Sequence, residues 1–350
     1  MKTIDNRQIF DLTLTVRSPL CIGSGSRLQK NEYLYDPRTQ MVSVLDPNAF
    51  VALLDRKNLI DAYEQFILQG GALFRFLRED CRLTSREIDS VVRYTLSAAD
   101  ALGENTPLRE IQTFQRDARG RAYLPGSGVK GALRTAYLTY RIQQEEHHTG
   151  EPFRESDYLN LLTFDKKRPQ SMVNDLFRGV SVTDSDPLPD SAMILAGKVD
   201  ILPDGSVNRI KVCRESLCPG TTVHLTLTLD QTLLEGKITR ETLQESITAF
   251  ADYYRKTYLP HFRLPASAMG ESYQNCLLLG AGTGFWAKTV AYPYYGEKQA
   301  LRQTSAFLQK KFPRGGHARD EAKGIAPHTL KYTQYNGRLT PFGVCGVEIQ

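Results

Sequence analysis

The segment that decides the fold is YLPGSGVKGALRTAYLTY, from Tyr123 to Tyr140. Its first residues, together with Ala122, predict a short apolar strand over 122–124 that ends at Pro125. We expect a glycine loop and then a helix to follow, because glycine reaches backbone conformations that other residues avoid. Apolar side chains recur in this helix at the spacing of one buried stripe. The stripe consists of Val129, Leu133, Ala136, Tyr137 and Tyr140.

The glycine loop and two neighbouring cations predict a phosphate-binding site. A glycine loop that leads into a helix presents unpaired N–H groups and the positive end of the helix dipole to an anion. Lys130 and Arg134 are four residues apart, so they lie on one face of the helix beside the loop. The core then holds one side of the helix, and the basic side remains available to a ligand.

Two known nucleotide motifs are incomplete in this segment. Gly126 and Gly131 have the spacing of a P-loop, but two apolar residues follow where the motif needs Lys and a hydroxyl. The dinucleotide motif needs an acidic residue about 20 positions on, and Glu145 and Glu146 come too early. We therefore expect no ATP or NAD cofactor, and a polymeric phosphate ligand fits better.

A second glycine segment repeats this architecture. The apolar run 276–279 predicts a strand, and it is followed by Gly280, Gly282 and Gly284, with Lys288 just beyond. The order of strand, glycine loop, aromatic residue and cation matches the first segment, although the letters are not similar enough to prove a duplication. The chain is therefore expected to have a repeated architecture in two halves.

Alternating apolar and polar residues predict most of the other strands. These strands are expected at 9–16, 33–36, 41–46, 192–201, 207–213 and 222–229. Asp204-Gly205 and Asn336-Gly337 are hairpin turn sequences. A helical insertion is expected at about 47–100, with Asp46 and Thr84 as helix caps, and a long helix at 240–258.

The length and composition are those of a soluble protein with two domains. The chain has 350 residues, of which 41% are hydrophobic and 24% are charged. We find neither an apolar run long enough to span a membrane nor a signal-peptide core at the N-terminus. The six cysteines form no CxxC pair, which indicates reduced thiols in a cytoplasmic protein.

Basic charge is concentrated in two windows. Residues 107–141 carry a net +5 and residues 298–350 a net +6, whereas the whole chain carries only +5. Such local basic surface is typical of proteins that bind nucleic acid. The Gly- and Ser-rich segment Ser18–Arg27 is expected to form a loop beside the first glycine loop, and segment 307–316 is expected to form a basic, aromatic loop.

Other groupings of potential metal ligands give weak signals. Cys213, Cys218 and His224 do not match a zinc spacing. The Glu-Glu-His-His run at 145–148 ends a helix, where adjacent residues point about 100° apart and chelate poorly. We therefore expect no metal site.

Six segments together resemble the RAMP superfamily of CRISPR proteins. They are PLCIGSG (19–25), EYLYD with MVSVLD (32–46), LPGSGVKGALRTA (124–136), FRGVSVTDS (177–185), GAGTGFWAKT (280–289) and PHTLKYTQYNGRLTPFGVCGVEI (327–349). The resemblance covers nearly the full length. The closing segment and the total length are most similar to the subunit that caps the 3′ end of the guide RNA in type III-A (Csm) effector complexes.

The resemblance implies an α+β fold of two ferredoxin-like (RRM-like) βαββαβ modules with helical insertions and glycine-rich loops. The modules are expected at 1–190 and 191–350. It also implies a non-enzymatic cytoplasmic protein of antiviral defence, without a cofactor, that binds crRNA. The expected partners are the backbone and small subunits of a Csm complex and, indirectly, target RNA; guide-trimming nucleases stay open as partners.

The resemblance places RNA contacts at both glycine segments. The first contact consists of Gly126, Ser127, Gly128, Lys130, Gly131 and Arg134, and the second of Gly280, Gly282, Gly284 and Lys288. Four basic loop residues are added as candidates: Arg27, Lys310, Lys311 and Arg314. The aromatic RNP motif of RNA-binding RRM domains is absent, so we expect contacts to the RNA backbone and not to its bases.

The alternative is a RAMP endoribonuclease that cuts precursor crRNA or target RNA. Metal-independent cleavage needs a general base, usually His, and the first histidine of the chain is His147. Metal-assisted cleavage would use a loop aspartate, for which Asp184 and Asp186 are candidates. These two carboxylates are equally suited to cap the end of a strand or to orient a basic partner such as Arg178.

Overall fold

The computed structural model describes residues 2–102, 108–145, 152–161, 164–268 and 272–350. Within these ranges the chain forms two β-sheets with helices packed against them, so the predicted α+β class is confirmed. None of the described helices is both long and apolar enough to cross a membrane.

The strands and helices of the described residues are numbered along the chain. The strands are β1 Lys2–Ile4, β2 Arg7–Val16, β3 Gly23–Leu28, β4 Tyr33–Asp36, β5 Met41–Leu45, β6 Val92–Ser97, β7 Ile111–Phe114, β8 Val180–Val182, β9 Met193–Ile201, β10 Val207–Leu217, β11 Thr222–Asp230, β12 Cys276–Leu278, β13 Leu330–Tyr335, β14 Arg338–Pro341 and β15 Val344–Ile349. The α-helices are α1 Pro47–Arg56, α2 Ile60–Gln69, α3 Leu73–Arg75, α4 Ser85–Asp89, α5 Gly126–Gln143, α6 Ser156–Leu159, α7 Gln231–Leu234, α8 Arg240–Tyr253, α9 Ala291–Lys311 and α10 Asp320–Lys323.

Sheet one is built around β2. Its strand order is β12-β15-β2-β11-β8, and β1 also pairs with β2. The predicted alternation is confirmed, because Leu12 and Leu14 of β2 are fully buried and pair directly with Leu225 and Val223 of β11. Residues two apart on a strand share one face, so matched register on two strands yields one continuous apolar layer.

Sheet two has the order β3-β7-β10-β9-β6-β5-β4, with β13 paired to β9 and β14 to β13. Both predicted hairpin turns are confirmed. Gly205 has φ +88° between β9 and β10, and Asn336 and Gly337 have φ +48° and +73° between β13 and β14. Two successive residues at positive φ are what a two-residue turn requires, so local chemistry alone specifies this hairpin.

Helix α5 covers sheet one together with α8. Val129, Leu133, Ala136 and Tyr137 are buried as the stripe predicts. Tyr140 is the exception, because it is only half-buried and its hydroxyl donates a hydrogen bond to Glu245 of α8 at 2.7 Å. The central helix is therefore fixed by the core along most of its length.

The helical insertion has its own hydrophobic cluster, separate from the main core. Asp46 caps α1 by accepting a hydrogen bond from the Ala49 N–H at 2.8 Å. Thr84 and Glu87 form the predicted capping box at α4. The predicted end of the insertion at about residue 100 is wrong, because β6 already pairs with β5 and β9 inside sheet two.

The predicted division at residues 190 and 191 does not separate the two sheets. In sheet one, β2 lies between β11 and β15, and in sheet two, β7 lies beside β10. Each sheet thus contains strands from both sides of the boundary. The two-module division stays a prediction.

Candidate nucleic-acid interface

Helix α5 begins at Gly126, so the first glycine segment is the opening turn of a helix and not a loop. The predicted strand over 122–124 is also wrong, since only Ala122 makes isolated bridges, to Arg116 and Leu188. The reason for glycine at position 126 is proximity to the strand β8. A Cβ there would lie 2.2 Å from the Val182 carbonyl oxygen.

A carboxylate already occupies the N-terminus of α5. Asp184 Oδ1 accepts a hydrogen bond from the Gly126 N–H at 2.8 Å. The neighbouring Ser185 N–H donates to the Leu124 carbonyl, and the Leu124 N–H donates to Ser185 Oγ, both at 3.0 Å. The prediction of a free amide at Gly126 is therefore wrong, and a phosphate at this position would meet a negative charge.

Gly128 and the cations of α5 lie on different faces. Successive residues are about 100° apart on a helix, so Lys130 and Arg134 lie about 160° and 120° around the helix from Gly128, whereas Gly131 is only about 60° from Arg134. Ser127, Gly128 and Gly131 are exposed. A Cβ at Gly128 or Gly131 would meet no other atom within 4 Å, so this face is open.

Arg134 is bound within the protein. Its guanidinium forms ion pairs of 2.7 Å with both Glu155 and Asp175, and it lies 5.5 Å from the centre of the Phe177 ring. Burial lowers the pKa of Lys130, while Asp175 nearby acts to raise it. Lys130 and Arg134 thus belong to one partly buried charge cluster that contains two acids.

The second glycine segment is a loop, as predicted. Gly280, Gly282 and Gly284 have φ values of +78°, +99° and +86°. A Cβ at Gly280 would lie 2.1 Å from the Cys21 carbonyl oxygen, which accepts a hydrogen bond from the Ala281 N–H at 2.7 Å. Backbone therefore packs directly on backbone, and only glycine fits this approach.

The two glycine segments meet in one groove of about 300 Å³. The open face of α5 forms one wall, and the end of β12 with the second glycine loop forms the other. The groove is lined by Gly128, Gly131, Ala132, Thr135, Leu278, Leu279, Gly280, Ala287 and Lys288. The sequence suggested only that the two glycine segments have a similar architecture. In the fold they lie side by side and line the same groove.

Lys288 of the groove wall lies close to a second cation, Arg214, and sequence reasoning identified only Lys288. Burial, followed by the positive charge of Arg214, lowers the pKa of Lys288. Arg214 donates from Nε to Gln112 Oε1 at 2.8 Å, and its buried Nη1 has no hydrogen-bond partner. The ion pairs of the described residues include neither cation. Two neighbouring positive charges without an ion-paired acid make a favourable site for an anion.

Arg214 was missed because its signal is not local. It lies on β10 between the buried Cys213 and Glu215, inside an ordinary strand pattern. No glycine or second cation adjoins it in a motif. Only the pairing of β10 with β7 and the packing of the second glycine loop bring it close to Lys288.

The other basic candidates are dispersed. Segment Ser18–Arg27 is not a loop beside the first glycine segment: it ends in the strand β3, and its Cys21 adjoins the second glycine loop. Arg27 forms an ion pair of 2.9 Å with Glu110. Lys310 and Lys311 lie in the last turn of α9, which corrects the loop predicted from residue 307, and Arg314 follows in an exposed turn.

The weak metal groupings of the sequence do not assemble among the described residues. His224 lies on the exposed face of β11, with Nδ1 3.4 Å from Thr13 Oγ1, whereas Cys213 is buried. Residues 146–148 of the Glu-Glu-His-His run lie outside the described residues. A different set, His317, Asp320 and His328, brings potential metal-ligand atoms within 4.8 Å of one another.

Comparison with known proteins gives a family. The sequence model of the RAMP superfamily matches residues 13–284. The chain belongs to the RAMP superfamily.

Individual relatives match over almost the whole chain. The chain is 27% identical to the "CRISPR system Cms protein Csm5" of Streptococcus thermophilus over 343 residues, which is 93% of this chain and 88% of that protein. It is 25% identical to the protein of the same name from Enterococcus italicus over 378 residues, which is 98% of each.

Two solved structures share the fold. A chain of a Csm-crRNA-target RNA ternary complex, from a type III-A CRISPR-Cas system, superposes with a TM-score of 0.65 at 19% identity, covering 97% of this chain and 100% of that one. The crystal structure of T. onnurineus Csm5 gives a TM-score of 0.61 at 20% identity, covering 95% and 99%.

Proposed function

We propose that this chain is a crRNA-binding subunit of a type III-A Csm ribonucleoprotein complex and acts in antiviral defence. Relatives named as Csm5 proteins match it over 93–98% of its length, and a chain of a Csm-crRNA-target RNA complex shares its fold. Its partners are then crRNA and the backbone and small subunits of the complex, with target RNA contacted indirectly. Such a complex works in the cytoplasm.

The observation that carries this proposal is the groove between α5 and the second glycine loop. Lys288 is in its wall, and Arg214 is close enough to depress the pKa of Lys288 further. Gly128 and Gly131 add no side chains to the α5 side, so a ribose-phosphate backbone has room to approach the helix there. Small and aliphatic lining residues offer no stacking platform for bases. Binding should therefore depend on the RNA backbone and suit guides of any sequence.

The finer part of the proposal is that this subunit caps the 3′ end of the crRNA and ends the filament of backbone subunits. Its test is a complex purified with and without this chain. Without it, we expect crRNAs with altered 3′ ends or fewer backbone subunits per complex, read by RNA sequencing and native mass spectrometry. Unchanged crRNA ends and unchanged stoichiometry would reject the capping role. Guide-trimming nucleases that associate through this chain would appear in the complex purified with it and not in the complex purified without it.

We further propose that the subunit does not cleave RNA. The Asp184 carboxylate accepts the Gly126 N–H and so has a structural partner, which weakens its candidacy as a catalytic metal ligand. Purified protein with Mg²⁺ or Mn²⁺ should leave single-stranded RNA and precursor crRNA intact in a gel assay. Cleavage that disappears in Asp184→Ala or Asp186→Ala, with the fold intact, would establish the endoribonuclease alternative.

A further inference from the structure

Three side chains with metal-binding groups converge away from the groove. His317 lies in the turn after α9, Asp320 is the first residue of α10, and His328 precedes β13. Asp320 Oδ2 is 2.9 Å from His317 Nδ1, and Oδ1 contacts His328 Nδ1. The centres of the two imidazole rings are 5.2 Å apart.

The cluster is almost closed to water. The exposed fractions of the His317, Asp320 and His328 side chains are 12%, 0% and 10%. Among the described residues, the hydrogen-bond partners of the Asp320 side chain are these two imidazoles alone. With both imidazoles neutral, the cluster would hold one uncompensated negative charge out of water, which is costly.

A divalent cation removes that cost. If the proton on each Nδ1 moves to Nε2, the two neutral imidazoles and the carboxylate can all bind the ion, and the local charge changes from −1 to +1. Two imidazole nitrogens favour zinc and its neighbours in the first transition row over Mg²⁺ or Ca²⁺, which prefer oxygen ligands.

We propose that His317, Asp320 and His328 bind one zinc-class metal ion, with water as the fourth ligand. Zinc bonds to nitrogen and oxygen are about 2.0–2.1 Å, so ligand atoms of a tetrahedral site lie about 3.3 Å apart. The His317–Asp320 distance of 2.9 Å needs to lengthen by only a few tenths of an ångström.

The position of the site indicates what the ion does. It joins the basic end of α9, with Lys310 and Lys311, to the start of β13 in sheet two. The connecting turn fits closely around the rings, since a Cβ at Gly315 would lie 2.7 Å from His317 Cδ2. Buried ligands leave little access for a substrate, so the ion fastens this segment. This role is independent of the proposed RNA function.

The test uses the full chain without a histidine tag. After chelator treatment and incubation with Zn²⁺, desalted protein should retain about one zinc per chain by elemental mass spectrometry, and its melting temperature should rise over the chelated form. Co²⁺ in place of zinc should give the strong visible absorption of a low-symmetry site. Limited proteolysis should cut segment 312–324 faster in the metal-free form.

Variants locate the ion. His317→Gln and His328→Gln should each weaken zinc binding by more than about tenfold, the loss that follows even the removal of an outer-shell partner. His224→Gln, at an exposed histidine on β11, is the matched control and should retain the zinc. Asp320→Asn keeps the shape of the side chain and removes its charge, so it should lose the zinc-dependent rise in melting temperature.

Three results would overturn the proposal. They are wild-type protein that retains no zinc after desalting, a Co²⁺ spectrum no different from that of the aqueous ion, and His317→Gln that binds zinc as well as His224→Gln does. The first two are measured on wild-type protein and therefore hold even if a variant fails to fold. None of these measurements involves RNA, so they succeed or fail independently of the groove.

Discussion

Lys288 is an exposed residue of the groove wall, and its charge lies close to the positive charge of Arg214. An RNA phosphate between these cations would relieve their mutual repulsion. We expect Lys288→Ala to weaken RNA binding at least about tenfold, because a charge-assisted hydrogen bond contributes about 1.5–3 kcal/mol. Fluorescence anisotropy with two unrelated single-stranded RNAs measures this.

Salt and sequence dependence make the prediction specific. The loss should be similar for both RNAs, and the log–log salt slope should fall by about 0.7 for each lost phosphate contact. Lys237→Ala, at an exposed cation near α7, is the control and should bind normally. A loss confined to one RNA sequence would contradict recognition of the backbone.

Arg134 leads to the opposite expectation. Its guanidinium pairs with Glu155 and Asp175, so Arg134→Ala leaves two acids without their cation. Stability should fall by about 1–3 kcal/mol, as for other charged hydrogen-bond partners, in urea unfolding. Arg134→Lys should restore only part of the lost stability, because Lys cannot form the same pair of parallel hydrogen bonds with a carboxylate. Normal stability with abolished RNA binding would show that Arg134 is an RNA contact, as the sequence suggested.

At the scale of secondary structure elements, the start of α5 depends on Asp184. Asp184→Ala removes the acceptor for the Gly126 N–H and should cost about 0.5–2 kcal/mol of unfolding free energy, the usual range for a lost N-cap. Asp184→Asn keeps an acceptor oxygen for the Gly126 N–H and should therefore retain most of the wild-type stability. Chemical denaturation measures both variants, with Asp186→Ala as the neighbouring control. Equal stability of all three with wild type would exclude a capping role.

The helical insertion contains an interaction between α1 and α4 whose contribution to stability depends on pH. The Glu87 carboxylate of α4 is hydrogen-bonded to Lys57 at the end of α1 and to Thr84, and these bonds lower its pKa to about 2. A lowered folded-state pKa contributes stability above the unfolded value of about 4.3 that is lost as pH falls towards 2. Glu87→Gln should therefore be less stable than wild type at pH 7, and the difference should shrink steadily below pH 4. A difference that is constant between pH 7 and pH 2.5 would contradict this.

Local chemistry explains which elements could be predicted from sequence. The helix caps at Asp46 and Thr84 and the turn at Asn336-Gly337 involve only residues that are neighbours in sequence. The sequence therefore predicted them. Gly126 was misread because glycine is compatible with a loop and with a helix start. Glycine is needed at position 126 because of the nearby Val182 carbonyl, which lies on a strand distant in sequence.

At the scale of the whole molecule, the groove was half predictable. The second glycine loop and Lys288 were identified from sequence, whereas Arg214 and the open face of α5 emerged from the arrangement of the two sheets. The prediction of separate halves could not foresee that each sheet interleaves early and late strands. The alternation within each strand shows which of its faces is buried, but not which distant strand will pair with it.

The central position of β2 has a consequence for how the chain is made. Its two neighbours, β11 and β15, leave the ribosome roughly 210 and 330 residues later. Until then, β2 is paired with β1 at residues 7–9, and its apolar residues Leu12 and Leu14 remain without the strands that they face in the folded sheet. Such distant pairing predicts slow folding after translation. It also predicts that chaperones protect the exposed strand from aggregation during synthesis.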